Sequence, residues 1–216
     1  SWPMIQLVGF DGDDTLWHSE GYYQAAHAAF EAIVGTYVDL ADANLHQRLL
    51  ETERRNIALF GYGAKGMTLS MLETAYAVTR ERISAADLHR IIALGKDVMA
   101  HPVELLPGIR DAVASVAHHY PVVLITKGDL FHQEAKVAAS GLADLFRRIE
   151  IVSEKDARAY SRVLNEFGVE PSAFAMVGNS LRSDIEPVVR LGGWGVHVPS
   201  RFNWALDAEH GLDEDH

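Results

Sequence analysis

The sequence predicts an α/β protein in which a parallel sheet carries helices on both faces and a stretch of helices follows the first strand. Two observations support this prediction. From residue 104 onwards, short apolar runs alternate with helical patterns, which is typical of a parallel sheet with helical crossovers. Between residues 18 and 103, helical periodicity continues without a strand pattern. The helical stretch therefore reads as an insert into the α/β unit.

The composition limits the classes of function. The chain has 216 residues, which is one large domain or a core with an insert, and its 48% apolar and 23% charged residues are ordinary for a globular protein. A formal net charge of −11 argues against a nucleic-acid surface or an anionic-membrane surface. The absence of Cys excludes disulfides and thiolate chemistry and fits a cytoplasmic protein. No apolar stretch is long enough to span a membrane.

The first elements follow from apolar periodicity. The run from Ile5 to Phe10 predicts a buried strand. We then predict four helices in the insert, which run from Ser19 to about Tyr37, from about Asp42 to Phe60, from about Thr68 to Ile83, and from the cap Ser84 to just before Pro102. The glycine-rich segment 61–66 is predicted to be a turn between the second and third of these helices.

Strands and helices alternate in the rest of the chain. Four further strands are predicted at residues 121–126, 148–152, 174–177 and 194–198. Three of the intervening helices are predicted to begin near Pro107, at the cap Asp129 and near Asp184. The fourth, between the strands at 148–152 and 174–177, is predicted to end at Gly168. The tail from Arg201 is acidic, and its pattern predicts no element.

A cluster of carboxylates, Asp11, Asp13 and Asp14, directly follows the first strand. Three interpretations compete, namely an idle solvated turn, a calcium loop, and an aspartate nucleophile with a second carboxylate beside a magnesium ion. A calcium loop requires Gly at its sixth position and Glu at its twelfth, whereas this chain has Leu16 and Tyr22 there. The cluster by itself does not distinguish the first interpretation from the third. Asp14 is expected to cap the helix that follows.

The later strands also end in polar residues. Because the carboxyl ends of parallel strands meet at one edge of the sheet, where ligands bind, these residues are expected to lie together. The expected set is Asp11, Asp13, Thr126, Lys155, Asn179 and Asp184. Oxygen ligands of this kind suit magnesium, and a hydroxyl with free backbone N–H groups before a helix suits phosphate.

This order of motifs resembles the haloacid dehalogenase (HAD) superfamily, most of whose members are phosphatases. The matching residues are Asp11, Asp13 and Thr15 for Asp-x-Asp-x-Thr, Thr126 for the strand-end hydroxyl, Lys155 for the lone lysine, and Gly178, Asn179 and Asp184 for Gly-Asp-x-x-x-x-Asp. The resemblance covers the whole chain, because the helical insert is similar to the C1-type cap of that superfamily. It implies a Rossmann-like core at residues 1–17 and 104–216 and a cap at residues 18–103.

The resemblance also implies an activity, the Mg²⁺-dependent hydrolysis of a small phosphomonoester metabolite through an aspartyl-phosphate. Asp11 would be the nucleophile, and Asp13, initially protonated, would give a proton to the leaving group and later take one from water. Lys155 would balance the negative charge. The phosphate would be bound by Thr126, Lys127 and Gly128, and the metal by Asp11, the backbone carbonyl of Asp13, Asn179 and Asp184.

One departure from the family pattern and several alternatives accompany this prediction. Asn179 stands where many relatives have Asp, which keeps an oxygen ligand but removes a charge. The dehalogenating members lack the second aspartate of the first motif, so Asp13 favours the phosphatase branch. The position of Lys127 is equally consistent with a role in the site and with a place on the surface. Trp17 is expected to be a packing residue. The alternatives are a phosphomutase and a non-catalytic ligand-binding member.

The expected partner is a small phosphorylated metabolite, with no nucleic acid and no membrane. The chain is expected to act as a monomer or a small homo-oligomer in the cytoplasm.

Overall fold

The structure is a computed structural model that describes residues 4–200, so the acidic tail from Arg201 lies outside the described residues. The chain forms two compact units. Among the described residues, one unit contains residues 4–20 and 103–200, and the other contains Gly21–Pro102. Over the described range, none of the helices is both long enough and apolar enough to cross a bilayer.

The first unit is built on a parallel five-stranded sheet. Its strands are β1 (Leu7–Phe10), β2 (Val122–Lys127), β3 (Arg148–Val152), β4 (Phe174–Gly178) and β5 (Trp194–His197). Their order in the sheet is β3-β2-β1-β4-β5. The central strand β1 therefore pairs with both β2 and β4, and Gly9 lies opposite Val123 and Met176. The predicted parallel sheet is confirmed.

Helices cover both faces of this sheet. They are α6 (Ile109–His119), α7 (Leu130–Ser140), α8 (Ala157–Phe167) and α9 (Glu186–Arg190). Successive side chains of a strand point to opposite faces, and β1 shows this alternation. Leu7 packs in one apolar cluster with residues of α8 and α9, whereas Val8 and Phe10 pack in a second cluster with residues of α6 and α7. The central strand β1 is consequently apolar on both sides, as buried parallel strands are.

The helix ends of this unit use the predicted polar and glycine residues. The Asp129 side chain caps α7 by accepting a hydrogen bond from the backbone N–H of His132 (2.9 Å). Gly141 and Gly168 end α7 and α8 in the left-handed region, with φ of 71° and 66°. The helix predicted near Asp184 begins later, because the backbone at Leu181–Ile185 first forms a π-helical turn.

The second unit is helical, as predicted. Its helices are α1 (Glu20–Val34), α2 (Leu40–Ala43), α3 (Leu45–Phe60), α4 (Ala64–Val78) and α5 (Ala85–Ala100). Their buried stripes form one apolar cluster around Phe30, Leu49, Met71 and Ile91. The hydroxyl of Ser84 caps α5 by accepting the N–H of Asp87, as the sequence predicted.

Four features of the predicted helices in this unit are wrong, namely three helix limits and the continuity of the second predicted helix. The α1 helix ends at Val34, three residues before Tyr37. The second predicted helix is broken at Asn44, whose backbone adopts the left-handed region (φ 50°). The α4 helix begins at Ala64, inside the segment predicted to be a turn, because Ala64 and Met67 extend its buried face. It ends at Val78 rather than Ile83, since Arg80 and Glu81 have positive φ.

Candidate functional site

The carboxyl ends of β1, β2 and β4 bring most of the predicted residues together. Asp11 follows β1 directly, and its N–H donates to the carbonyl of Val177 in β4 (2.9 Å). Thr126 lies at the end of β2, and Asn179 follows β4. These three residues are all buried. The site is consequently assembled from non-adjacent parts of the chain by the pairing of parallel strands.

Lys155 lies between two buried carboxylates. Its Nζ is 2.5 Å from Oδ1 of Asp11 and 2.7 Å from Oδ1 of Asp184. Burial by itself would lower the pKa of Lys155, but the two carboxylates outweigh it and raise the pKa above its usual value. Lys155 therefore stays an ammonium group, although it is almost completely buried.

One ammonium group serves two carboxylates, and this leaves negative charge uncompensated. Burial and the neighbouring Asp184 raise the pKa of Asp11 to about 7, although the contact with Lys155 opposes the shift. A buried carboxylate near a second carboxylate favours the binding of a further cation. The charge balance around Asp11 therefore suits a metal ion.

Thr15 connects the nucleophile position to Asn179. Its hydroxyl oxygen lies 3.0 Å from Oδ2 of Asp11 and 3.1 Å from Oδ1 of Asn179. A hydroxyl has one hydrogen, so these two oxygens share it. The side-chain oxygen of Asn179 consequently points into the same cluster as the Asp11 carboxylate.

Asp184 reaches the cluster because Gly178 has no side chain. The backbone N–H of Ser180 donates to Oδ2 of Asp184 (3.0 Å). A Cβ on Gly178 would lie 2.3 Å from Cγ of Asp184, which is far inside van der Waals contact. Only glycine fits at the end of β4 while Asp184 keeps this position.

The oxygen atoms of this cluster fit magnesium. Within residues 4–200, no group of three or more His, Cys, Asp or Glu side chains is arranged to hold a metal ion. Magnesium does not need such a group, since it is usually held by one or two carboxylates together with substrate phosphate and water. Asp11 and Asp184 provide two carboxylates, and Asn179 provides an amide oxygen. These donors are hard oxygen ligands of the type that magnesium prefers.

The side chains of Trp17, Lys136 and Gln133 donate hydrogen bonds to the Asp13 carboxylate. The indole N–H of Trp17 and the Lys136 ammonium both lie 2.8 Å from Oδ1, and Nε2 of Gln133 lies 3.1 Å from Oδ2. Burial would raise the pKa of Asp13, but Lys136 and these hydrogen bonds outweigh burial and lower the pKa. Asp13 was expected to be protonated at the start of the reaction. The structure instead favours its carboxylate form, because a cation lies in direct contact with it.

The predicted phosphate-binding residues lie at the end of β2. The Thr126 hydroxyl oxygen accepts a hydrogen bond from Nε2 of Gln133 (2.8 Å). Gly128 has a φ of 150°, in the region that favours glycine. Burial lowers the pKa of Lys127, whose Nζ is 3.7 Å from Oε1 of Glu154. Lys127 is thus partly buried next to an acid, in contrast to an ordinary solvated surface lysine.

Gln133 and Lys136 belong to this site although the sequence motifs did not predict them. Trp17 was predicted to be a packing residue; it is fully buried, but it also donates its indole N–H to Asp13. A usable signal was present in the sequence, because Gln133 and Lys136 are three residues apart on the helix that follows Thr126 and so share one helix face.

The carboxylate of Asp14 caps the start of α1. Both Asp14 carboxylate oxygens accept backbone N–H groups, 3.0 Å from Ser19 and 3.0 Å from Glu20. Asp14 has a φ of 63°, which turns its side chain back towards the helix start. Asp14, the third carboxylate of the cluster after β1, therefore has a structural role as a helix cap.

Comparison with known proteins supports one family. The family model for haloacid dehalogenase-like hydrolases matches residues 5–192. The crystal structure of a haloacid dehalogenase-like family hydrolase from Xanthomonas campestris has 59% sequence identity and a TM-score of 0.87, and the match covers 91% of this chain and 82% of that one. The comparison with curated proteins gives no match.

More distant structures share the fold. A 2-haloacid dehalogenase from Pseudomonas syringae is 21% identical, with a TM-score of 0.60 and coverage of 90% of this chain and 86% of that one. The HAD hydrolase YfnB from Bacillus subtilis, bound to magnesium, is 16% identical, with a TM-score of 0.59 and coverage of 89% and 86%. The family model, the Xanthomonas structure and the strand-end residues agree, and the chain belongs to the haloacid dehalogenase-like hydrolase family.

Proposed function

We propose that this hydrolase is a Mg²⁺-dependent phosphatase that acts on a small phosphomonoester metabolite through an aspartyl-phosphate intermediate. The observation that carries the proposal is the pair Asp11 and Asp13 at the end of β1, beside the Thr126 hydroxyl at the end of β2. Within the family, the dehalogenating members lack the second aspartate of the first motif, so Asp13 favours a phosphatase. The reaction needs a nucleophile, an acid/base and a phosphate-binding hydroxyl, and these three residues provide them.

In the first step, a carboxylate oxygen of Asp11 attacks phosphorus as the ester P–O bond breaks. The Asp11 pKa of about 7 must be lowered for this role, and Lys155 and a bound cation both act in that direction. The hydroxyl of Thr126 and the backbone N–H groups near Gly12 and Lys127 hold the non-bridging oxygens. Positioning and charge neutralisation are the main requirements of phosphoryl transfer.

Asp13 exchanges the protons in both steps. The leaving alkoxide takes a proton from Asp13 in the first step, and Asp13 takes a proton from the attacking water in the second step. Water then attacks phosphorus, the bond between phosphorus and Asp11 breaks, and inorganic phosphate leaves. The low pKa of Asp13 suits the second step directly. For the first step, the arriving phosphate dianion raises the pKa of Asp13 and promotes its protonation.

Magnesium, held by Asp11, the Asp13 carbonyl, Asn179 and Asp184, would supply positive charge between the nucleophile and the phosphate. The oxygen donors of the cluster and its excess negative charge support this assignment. The HAD hydrolase YfnB, which has the same fold, is described with magnesium bound.

The helical unit is proposed to act as the cap that selects the substrate. The catalytic residues named above all belong to the first unit, so they account for the phosphate chemistry and not for the choice of leaving group. The helical unit is large enough to bury an apolar core of its own. It would then supply the residues that distinguish one leaving group from another.

A phosphate-release screen over a panel of phosphorylated metabolites and an activated aryl phosphate tests this proposal. We expect release with Mg²⁺, loss of release after treatment with EDTA, and recovery on addition of Mg²⁺. Asp11→Asn should abolish turnover, whereas Asp144→Asn, which changes an exposed acid of the same unit, should retain it. Full activity of the metal-free enzyme would contradict the metal assignment, and an active Asp11→Asn variant would contradict the aspartyl-phosphate route.

The same screen separates the alternatives. Transfer of phosphate to a sugar acceptor, without release of inorganic phosphate, would identify a phosphomutase. Halide release from 2-haloacids would identify a dehalogenase, which is the activity named for the Pseudomonas structure. Ligand binding without turnover of any panel member would identify a non-catalytic protein.

A further inference from the structure

Helix α7 presents two polar side chains to the site, Gln133 and Lys136. Gln133 is buried (2% exposed), and the Lys136 side chain is 12% exposed. They lie three residues apart and thus on one face of the helix. Neither residue contributes to the apolar cluster into which α7 packs Val137. Their burial therefore needs an explanation from polar contacts.

Lys136 contacts Oδ1 of the Asp13 carboxylate. Its Nζ is 2.8 Å from Oδ1, the oxygen that also accepts the indole N–H of Trp17. A charge-assisted hydrogen bond of this length is among the stronger polar contacts in proteins. Two donors on one oxygen fix the direction in which the carboxylate group points.

Gln133 connects Asp13 to Thr126. Its Nε2 is 3.1 Å from Oδ2 of Asp13 and 2.8 Å from the hydroxyl oxygen of Thr126. The carboxylate can only accept hydrogen bonds, so the NH₂ group of Gln133, and not its oxygen, must face it. The two shorter contacts of that group are with Asp13 and Thr126, and a longer one of 3.4 Å is with the carbonyl oxygen of Lys127. The hydroxyl oxygen of Thr126 accepts the hydrogen bond from Gln133, so the hydroxyl hydrogen of Thr126 can be donated to a phosphate oxygen.

The turn before α7 leaves space for this glutamine. A Cβ on Gly128 would lie 3.1 Å from Cδ and from Cγ of Gln133, which is tighter than ordinary contact. Gly128 also has a φ of 150°, which a residue with a side chain rarely adopts. The backbone of the phosphate-binding turn is therefore packed against the side chain that orients Asp13.

We propose that Gln133 and Lys136 are positioning residues that hold the Asp13 carboxylate and the Thr126 hydroxyl in one fixed arrangement. The inference rests on the proposed function, because that function gives Asp13 and Thr126 their catalytic and phosphate-binding roles. Lys136 sets the direction of Asp13 alone. Gln133 sets Asp13 and Thr126 together, so the acid/base and the phosphate-binding hydroxyl are oriented by the same amide group.

The first test measures the position of Asp13 without measuring activity. The indole N–H of Trp17 donates to Asp13, so its ¹H–¹⁵N resonance reports on the carboxylate. The chain has four tryptophans, and Trp17→Phe assigns the signal by removing it. We expect this resonance to shift in Lys136→Met and in Gln133→Met. It should stay in place in Glu134→Gln, which changes an exposed residue of the same helix.

The second test measures kinetics on an activated aryl phosphate with Mg²⁺. Misplacement of a catalytic group costs roughly ten- to a hundredfold in rate, so we expect kcat to fall by that factor in both methionine variants. KM should change little in Lys136→Met but rise in Gln133→Met, because only Gln133 also orients Thr126. Lys136→Arg keeps a charged donor and should recover part of the lost kcat.

A double-mutant cycle separates positioning from general stability. In an Asp13→Asn background, Lys136→Met should change kcat by no more than about twofold, since its target is already altered. Additive effects in this cycle would overturn the proposal, and so would an unmoved Trp17 resonance or an unchanged kcat. If the Trp17 resonance shifts in both variants but the wild-type protein has no phosphatase activity, the positioning of Asp13 by Gln133 and Lys136 is supported. The proposed function is then overturned instead.

Discussion

The ammonium group of Lys155 lies 2.5 Å from Oδ1 of Asp11, and both side chains are buried at the carboxyl edge of the sheet. The same nitrogen is 2.7 Å from Asp184, so a single cation compensates two buried acids. Removal of one partner from a buried ion pair leaves an uncompensated charge and is far more costly than the pair is favourable. This arrangement makes the cluster sensitive to small changes in charge.

Replacement of Lys155 by Met should destabilise the protein by roughly 3–5 kcal/mol, because it leaves Asp11 and Asp184 buried next to each other without a cation. Chemical denaturation at neutral pH measures this change, and phosphate release should be lost as well. Lys96→Met, which removes an exposed lysine, is the control and should change the unfolding free energy little. Equal stability of the two variants would show that Lys155 does not compensate the acids.

Replacement of Asn179 by Asp should tighten Mg²⁺ binding, because it adds a carboxylate to a cluster that shares the Thr15 hydroxyl with Asp11. Without metal, the added buried charge should lower the thermal midpoint, and saturating Mg²⁺ should reduce the difference from wild type. The measurement is the thermal midpoint as a function of Mg²⁺ concentration. Asn165→Asp adds the same charge at an exposed position and should show no such Mg²⁺ dependence. Identical metal titrations for the two variants would place Asn179 outside the metal site.

Replacement of Gly178 by Ala should cost roughly 1–3 kcal/mol of stability and most of the activity, because the new Cβ would overlap Asp184. Gly168→Ala is the comparison, since Gly168 also ends an element but has no atom within 4 Å of a built Cβ. Its positive φ should cost about 1 kcal/mol and leave turnover unchanged. Unchanged activity in Gly178→Ala would show that Asp184 is not needed in its observed position.

Replacement of Glu150 by Gln should change the pH dependence of stability. Burial would raise the pKa of Glu150, but Arg162 and Arg148 outweigh it and lower the pKa below 4.5. A carboxyl group whose pKa is lower in the folded state stabilises fully above its unfolded pKa, and this contribution is lost as pH falls through the folded pKa. The difference in unfolding free energy between wild type and Glu150→Gln should therefore be largest near neutral pH and shrink below pH 4.5. A difference that stays constant over this range would contradict the prediction.

Local patterns predicted the order of the elements in the sheet unit and several of their end residues. The Asp129 cap and the glycines at 141 and 168 follow from short-range hydrogen bonding and backbone preference, which the sequence displays directly. The limits of α4 were predicted less well. The apolar residues that extend it towards Ala64 become informative only once they are seen to be buried by neighbouring helices.

The sequence by itself determined which chemical groups stand at the strand ends, because strand, turn and helix signals are local and parallel strands share one carboxyl edge. Only the tertiary structure decided the partners and the ionisation of those groups. Lys136 is separated from Asp13 by 123 positions in the chain, yet it lies 2.8 Å away and lowers the pKa of that acid. Contacts of this kind depend on how α7 packs beside β1, and no periodicity in the sequence encodes the distance between two such side chains.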